Sequence, residues 1–92
     1  MPLSEAEIGE RLKSLPGWDL VGKAIQKRFS LRSFVPAIQF VNKVAELAEA
    51  EQHHPDIAIN YNLVTLVLST HSEGGVTVKD LALASKIDSI KI

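Results

Sequence analysis

The three histidines of the chain, His53, His54 and His71, all lie in its second half, and two carboxylates stand near them in sequence, Glu49 and Asp80. Imidazole, with an ordinary pKa of about 6.5, can both give and take a proton near neutrality. Two or three imidazoles without an obvious nucleophile point to general acid–base chemistry. His53 and His54 run into Pro55, and a residue preceding proline is pushed out of the helical region. Neighbours in extended chain point in opposite directions, so His53 and His54 are expected to serve different roles. By the same period of two, His71 shares a face with Ser69, Val67 and Thr65. Asp80 is expected at a helix N-terminus, where the dipole favours the carboxylate. There it either orients an imidazole or simply acts as the N3 partner of an N-cap at Thr77. A metal site is a rival reading, but the spacing offers no HxH or HxxxH pair and adjacent histidines diverge. A blander reading makes His53-His54 a polar helix-end loop and His71 a strand end. Trp18 could present its ring to a planar ligand, although a lone Trp more often fills a core; Tyr61 reads as core or interface.

These residues must be positioned by the elements around them. Ser4-Glu5-Ala6-Glu7 is a capping-box pattern, and Ile8, Leu12 and Leu15 lie on one face of the helix it opens. Pro16-Gly17 ends that helix. Trp18 to Val21 is a short apolar-rich run, and Gly22-Lys23 suits a type II′ hairpin turn. Ala24 to Leu31 reads as a half-exposed strand with Ile25, Phe29 and Leu31 on one face, interrupted by Lys27. Ser33 is the expected N-cap of a long helix with Pro36 in its first turn. Phe34, Ile38, Val41, Ala45 and Ala48 form its stripe, widened by Phe40, Val44 and Leu47. A stripe this broad can face both a sheet and a partner helix. Asp56 to Tyr61 alternates, with Ile57, Ile59 and Tyr61 on one face. Leu63 to Thr70 is β-branched and apolar on both faces, which suits a central strand covered on both sides. Glu73-Gly74-Gly75 is a loop, and Thr77 caps a last helix whose apolar face is Leu83, Ile87 and Ile90. The order α-β-β-α-β-β-α predicts an α+β fold with a mostly antiparallel sheet.

Composition narrows the function classes. With 92 residues, 46% hydrophobic and 23% charged, the chain is expected to form one domain over 1–92 with a true core, marginal enough that association is plausible. The absence of cysteine excludes disulfides, Cys-ligated zinc, iron–sulfur clusters and thiol chemistry. Ten Lys and Arg against eleven Asp and Glu argue against direct nucleic-acid binding. No apolar run approaches the ~20 residues of a membrane span. The stretch MPLSEAEIGE lacks the basic and apolar regions of a secretory leader, so a cytoplasmic location is expected.

The segment Glu49-Ala50-Glu51-Gln52-His53-His54-Pro55, then Tyr61-Asn62, Leu68-Ser69-Thr70-His71 and Asp80, resembles the pterin-4a-carbinolamine dehydratase family. Gly17-Trp18 before the first hairpin, and Leu83-Ala84 with Ile87 in the last helix, extend the resemblance over nearly the whole chain. It implies a four-stranded antiparallel sheet with three helices packed on one side. It implies conversion of 4a-hydroxytetrahydropterin (4a-hydroxytetrahydrobiopterin) to quinonoid dihydropterin and water, the recycling step after aromatic hydroxylation, without a metal or organic cofactor. The family's histidines fall on His53, His54 and His71, its carboxylates on Glu49 and Asp80, and Ser69, Thr70 and Trp18 line or support its pocket. His53 and His71 are expected to exchange protons with the substrate, His54 to hold the pterin, and Asp80 to orient His71 or a nearby donor. Gln52 stands where some relatives carry an acid, and Lys79 where an Arg can occur; both change local charge and leave the acid–base residues intact. A homodimer or homotetramer is expected. Since family members also serve as dimerisation cofactors of a transcription factor, the alternative reading is a protein–protein module with an unused pterin pocket.

Overall fold

The computed structural model describes residues 2–92. Helix α1 spans Glu5–Leu12 and opens on the expected box: the Ser4 hydroxyl accepts from the Glu7 N–H, and the Glu7 carboxylate accepts from the Ser4 N–H. It ends earlier than its apolar pattern suggested. Leu15 is nevertheless buried, carried inward by turns that follow the helix. Strands β1 (Asp19–Val21) and β2 (Ala24–Ser30) form a hairpin over Gly22-Lys23. Gly22 has φ +61° and Lys23 is not left-handed, the pattern that a type II′ turn requires.

Helix α2 runs over Phe34–Glu51. Ser33 takes the N-cap position, but its side chain makes no capping bond. The buried line is Ala37, Phe40, Val44 and Ala48, while Ala45 is exposed and Phe34 is 49% exposed. The centre of the stripe is therefore turned from the expected one, because α2 packs on strand β4 and helix α3 together and buries the face that lies between them. Gln52 ends the helix in the left-handed region at φ 52°, and its side chain donates to the Glu49 carbonyl.

Strands β3 (Asp56–Asn60) and β4 (Leu63–Leu68) form a second hairpin, and β4 pairs with β2, giving the antiparallel order β1-β2-β4-β3. Tyr61 lies in the turn at φ 54° rather than in the strand, and is exposed. Thr70 continues the direction of β4 only as an isolated bridge to Gly75. A single 3₁₀ turn holds His71–Glu73, and helix α3 spans Val78–Asp88. The result is an α+β fold of three helices and a four-stranded antiparallel sheet. No helix among the described residues is long and apolar enough to cross a membrane.

Alternation along β4 decides which side is core. Val64, Leu66 and Leu68 are fully buried, with Ile25, Val44, Leu83 and Ile87 in the same cluster. Leu63, Thr65 and Val67 on the other face are only half-buried, so β4 is interior to the sheet but covered on one side, not two. Lys27, which broke the strand pattern, lies on the core face by its register opposite Leu66. Its amine lies over the Phe29 ring, 4.9 Å from the centroid, and donates to the Pro16 carbonyl and to Asp88 at 2.9 Å each. A lysine can occupy an apolar face in this way when its charged end escapes to polar partners.

Candidate active site

The site gathers where β2 begins, β3 begins and β4 ends. On the sheet face away from the core, Asp56 pairs with Val67, and Ala24 lies next to the β2–β4 register, one position before Ile25. Ser69, two residues beyond Val67, continues that face and donates its hydroxyl to the Lys23 carbonyl at 2.7 Å, tying the hairpin turn to the end of β4. These residues, with His54, His71 and Gly74, line a cavity of about 300 Å³, at the lower end of the range for small-molecule pockets. His71 stands in a short loop closed by Thr70 and Gly75, whose backbones pair at its base. Gly74 turns the loop at φ +78°, a conformation that favours glycine.

Pro55 keeps the chain extended ahead of β3, and the two neighbouring imidazoles part company as expected. His54 turns to the cavity, as does Asp56 two residues on. Its Nε2 lies 2.6 Å from Glu49 Oε2, with both side chains more than half exposed. His53 turns the other way, and its side chain is 12% exposed. Its Nε2 lies 2.5 Å from Oδ1 of Asp80, a fully buried carboxylate. The partner of Asp80 is thus His53 and not His71.

The two readings of Asp80 turn out to be one arrangement. Oδ2 accepts from the Thr77 N–H at 2.9 Å, completing the capping box of α3. The same oxygen accepts from the Thr70 hydroxyl at 2.9 Å, and the Thr70 and Thr77 hydroxyls are 2.8 Å apart. Oδ1 is left for the imidazole. Thr70, Thr77 and Asp80 are all buried, and among the described residues no buried side-chain polar atom lacks a partner, which removes the main penalty for burying such a group.

The other expected site residues are placed as follows. Trp18 is in the core, 3% exposed, edge-on to Phe29, with its indole N–H donating to Asp88 at 3.1 Å. Glu49 stands at the exposed rim behind His54. Thr70 supports Asp80 from below the cavity rather than lining it. Among the cavity residues, Lys23, Asp56 and Gly74 were not singled out from sequence. Asp56 was accessible to the period-two argument through His54, whereas Lys23 joins the site only through the β2–β4 register. Among the described residues no group of three or more His, Asp or Glu side chains is arranged to hold a metal ion.

A cavity walled by two imidazoles, with a third imidazole turned away from it onto a buried carboxylate, is the geometry that known relatives can be set against. The family model described as pterin 4 alpha carbinolamine dehydratase matches residues 1–90. A protein of Chloroflexus aurantiacus, provisionally described as a pterin-4-alpha-carbinolamine dehydratase, is 56% identical over 88 residues, covering 96% of this chain and 95% of its own. A Sulfolobus acidocaldarius protein with the same provisional description is 45% identical over 91 residues, covering 99% of this chain and all of its own. Among solved structures, the transcriptional coactivator/pterin dehydratase of Brucella melitensis superposes with a TM-score of 0.93 at 38% identity, covering 97% of each chain. A pterin dehydratase-like protein identified as a RuBisCO assembly factor of the alpha-carboxysome gives a TM-score of 0.68 at 26% identity, covering 79% of this chain and 87% of its own. With a match along almost its full length in sequence and in fold, this chain belongs to the pterin-4-alpha-carbinolamine dehydratase family.

Proposed function

We propose that the chain is a 4a-hydroxytetrahydropterin dehydratase, a carbon–oxygen lyase that forms quinonoid dihydropterin and water in tetrahydropterin recycling in the cytoplasm. The observation that carries the reading is the joint placement of His54 and His71 on one small cavity; His53, next to His54 in the chain, is held on Asp80. In the reaction the N5 lone pair expels the 4a-hydroxyl, so the C4a–O bond breaks as a C4a=N5 bond forms. An acid must give the departing oxygen a proton, and a base must take the proton from N5. His71 fits the first role, on the cavity wall at the strand end. The second role is given to His53 on the family resemblance; its ring is held by Asp80 and does not line the cavity. His54, facing the cavity and tied to Glu49, holds the pterin and its hydroxyl. Ser69 and the strand-end backbone offer polar groups to the ring edge. The two histidines finish with exchanged protonation states, and solvent resets them. Each positioned proton transfer contributes typically ~10²–10⁴-fold.

The test is stopped-flow turnover of freshly generated 4a-hydroxytetrahydropterin. The reading requires acceleration well above the spontaneous dehydration; folded protein that leaves the spontaneous rate unchanged overturns it.

Self-association is proposed alongside, as a homodimer or homotetramer. Ile57 and Ile59 on the edge strand β3 are 39% and 37% exposed, and Phe34 and Val35 at the start of α2 are 49% and 62% exposed, large apolar side chains that association would cover. Light scattering that returns the monomer mass at assay concentrations refutes it. The same surfaces support the second reading, an interaction module, which gains if the protein is inert toward the carbinolamine and captures a dedicated partner.

A further inference from the structure

We propose that Asp56 and Lys23 set the ligand specificity of the cavity, Asp56 by accepting two adjacent N–H groups on one edge of the ligand and Lys23 by donating to an acceptor on the same edge. Both residues line the cavity that His54 and His71 share. They come to it from the two strands on either side of β4. Asp56 opens β3 and pairs with Val67. Lys23 is the second residue of the turn before β2, and its carbonyl is fixed to the end of β4 by the Ser69 hydroxyl at 2.7 Å. Ala24 and Val67 give the same cavity an apolar surface. The other carboxylates near the histidines are already engaged, Glu49 with His54 and Asp80 with His53. Among the described residues, the Asp56 carboxylate and the Lys23 amine pair neither with each other nor with any other side chain.

An anion and a cation that share a cavity without closing on one another select a ligand edge with donors at one end and an acceptor at the other. A carboxylate has two oxygens and binds two parallel N–H groups best, the geometry it adopts with a guanidinium. An ammonium only donates. The inference deepens the dehydratase reading and rests on it for the ligand. The pyrimidine ring of a pterin presents the required order along one edge, a 2-amino N–H, the N3–H beside it, and then the 4-oxo group. The bond changes of the reaction fall on C4a, its oxygen and N5, so this edge is held alike in the substrate and the transition state. Such a grip contributes affinity and orientation and leaves the chemical step to the imidazoles.

The experiment has a binding arm and a kinetic arm. In the first, dissociation constants of pterin and of lumazine, its 2-oxo counterpart, are measured by equilibrium dialysis. The parent is expected to prefer pterin by about tenfold or more, since lumazine sets a carbonyl oxygen against the Asp56 carboxylate. Asp56→Asn should weaken pterin about tenfold, the lower end for hydrogen bonds to a charged group, and leave lumazine as tight or tighter, because the new amide can donate to the 2-oxo group. Asp56→Ala should weaken pterin to the same extent. Lys23→Met should weaken both ligands equally, about threefold, because both carry the 4-oxo group, and keep their ratio. A parent without preference for pterin, or an Asp56→Asn protein with the parent's ratio, overturns the proposal, and so does Lys23→Met with parent affinities. Asp56 is exposed, so a circular dichroism spectrum of each variant should match the parent; should Asp56→Asn not fold, Asp56→Ala carries the same refutation. In the kinetic arm, Asp56→Asn should raise KM for 4a-hydroxytetrahydropterin about tenfold, with the loss falling on KM rather than kcat. A loss confined to kcat, or none, also overturns the proposal. Parent protein that discriminates pterin from lumazine through Asp56 but does not accelerate dehydration would instead remove the dehydratase reading and leave the specificity assignment standing.

Discussion

Asp80→Asn separates the two duties of the buried carboxylate. In the parent, Asp80 accepts from His53, from the Thr70 hydroxyl and from the Thr77 N–H. Asp80→Ala would strand all three donors at about 1–3 kcal/mol each. That sum is comparable with the whole stability of a 92-residue domain, about 5–14 kcal/mol at ~0.05–0.15 kcal/mol per residue, so the alanine variant is expected to unfold and to say nothing about chemistry. Asparagine keeps the shape. Its one oxygen can serve the Thr70 and Thr77 donors, which leaves its NH₂ facing His53 Nε2. A donor there forces the ring to accept at Nε2 and to carry its proton on Nδ1, the atom that should be the base. Trading charged for neutral hydrogen bonds costs about 1 kcal/mol here, or roughly 4–8 °C in Tm for a domain of this size. The kinetic cost is the full base contribution, about 10²–10⁴-fold in kcat. Stopped-flow turnover of 4a-hydroxytetrahydropterin and a thermal melt on the same preparation read both numbers. An Asp80→Asn protein that melts a few degrees lower yet turns over at the parent rate would refute the assignment of His53 as an oriented base.

His71→Ala is expected to lower kcat by about 10²–10⁴-fold while its melt stays within a degree or two of the parent, because the side chain is exposed in its loop; a parent rate would remove His71 from the chemistry. Glu49→Gln should lower kcat by no more than about fivefold, since an exposed ion pair contributes only ~0–1 kcal/mol and both partners are open to solvent; a loss as large as that of Asp80→Asn would put the key carboxylate at the rim. EDTA is expected to leave turnover unchanged, and reversible loss restored by a divalent metal would revive a metal mechanism. Hydrogen bonds from the Ser4 backbone and side chain hold the Glu7 carboxyl below its ordinary value of 4.5. A depressed carboxyl stabilises the fold above its unfolded pKa and loses that contribution as pH falls through the folded one. Melts of the parent and Glu7→Gln should therefore differ at neutral pH and converge below pH 4.5 as Glu7 protonates; a gap that persists in acid would show that charge is not the cause.

Much of this was legible from residues alone, where one local rule sufficed. The Ser4–Glu7 box, the Gly22-Lys23 hairpin turn and the opposed directions of His53 and His54 each depend on a few neighbouring residues, and each is found in the fold. What failed depended on packing. The buried line of α2 could not be read from a stripe that is apolar most of the way round, because only the positions of β4 and α3 choose the face. The apolar outer face of β4 suggested a second covering layer, whereas part of it forms the floor of the cavity at Val67. Asp80 could not be assigned to His53 rather than His71 without knowing where the N-terminus of α3 meets the end of α2. Lys23 was out of reach for the same reason, since the hairpin turn joins the site only through a strand pairing some forty residues away in sequence.

The placement of Asp80 also explains why stability and chemistry are hard to separate in this fold. A carboxylate at N3 of a helix normally faces water and has acceptor capacity to spare. Here it is fully buried, and one oxygen satisfies the cap while the other is free to hold a ring. Burial of that charge is tolerable because three donors and a helix dipole meet it. The ring therefore inherits the rigidity of a helix start instead of the mobility of the loop that bears it. His54, one residue along and pointing the opposite way, has only an exposed partner. The two imidazoles differ in what holds them, and that difference comes from chain parity: Pro55 keeps the segment extended, and extension sends one ring to the capping box and the other to the cavity. A protein that needs one fixed base and one adaptable contact can obtain both from adjacent identical residues, provided the helix before them stops at Gln52.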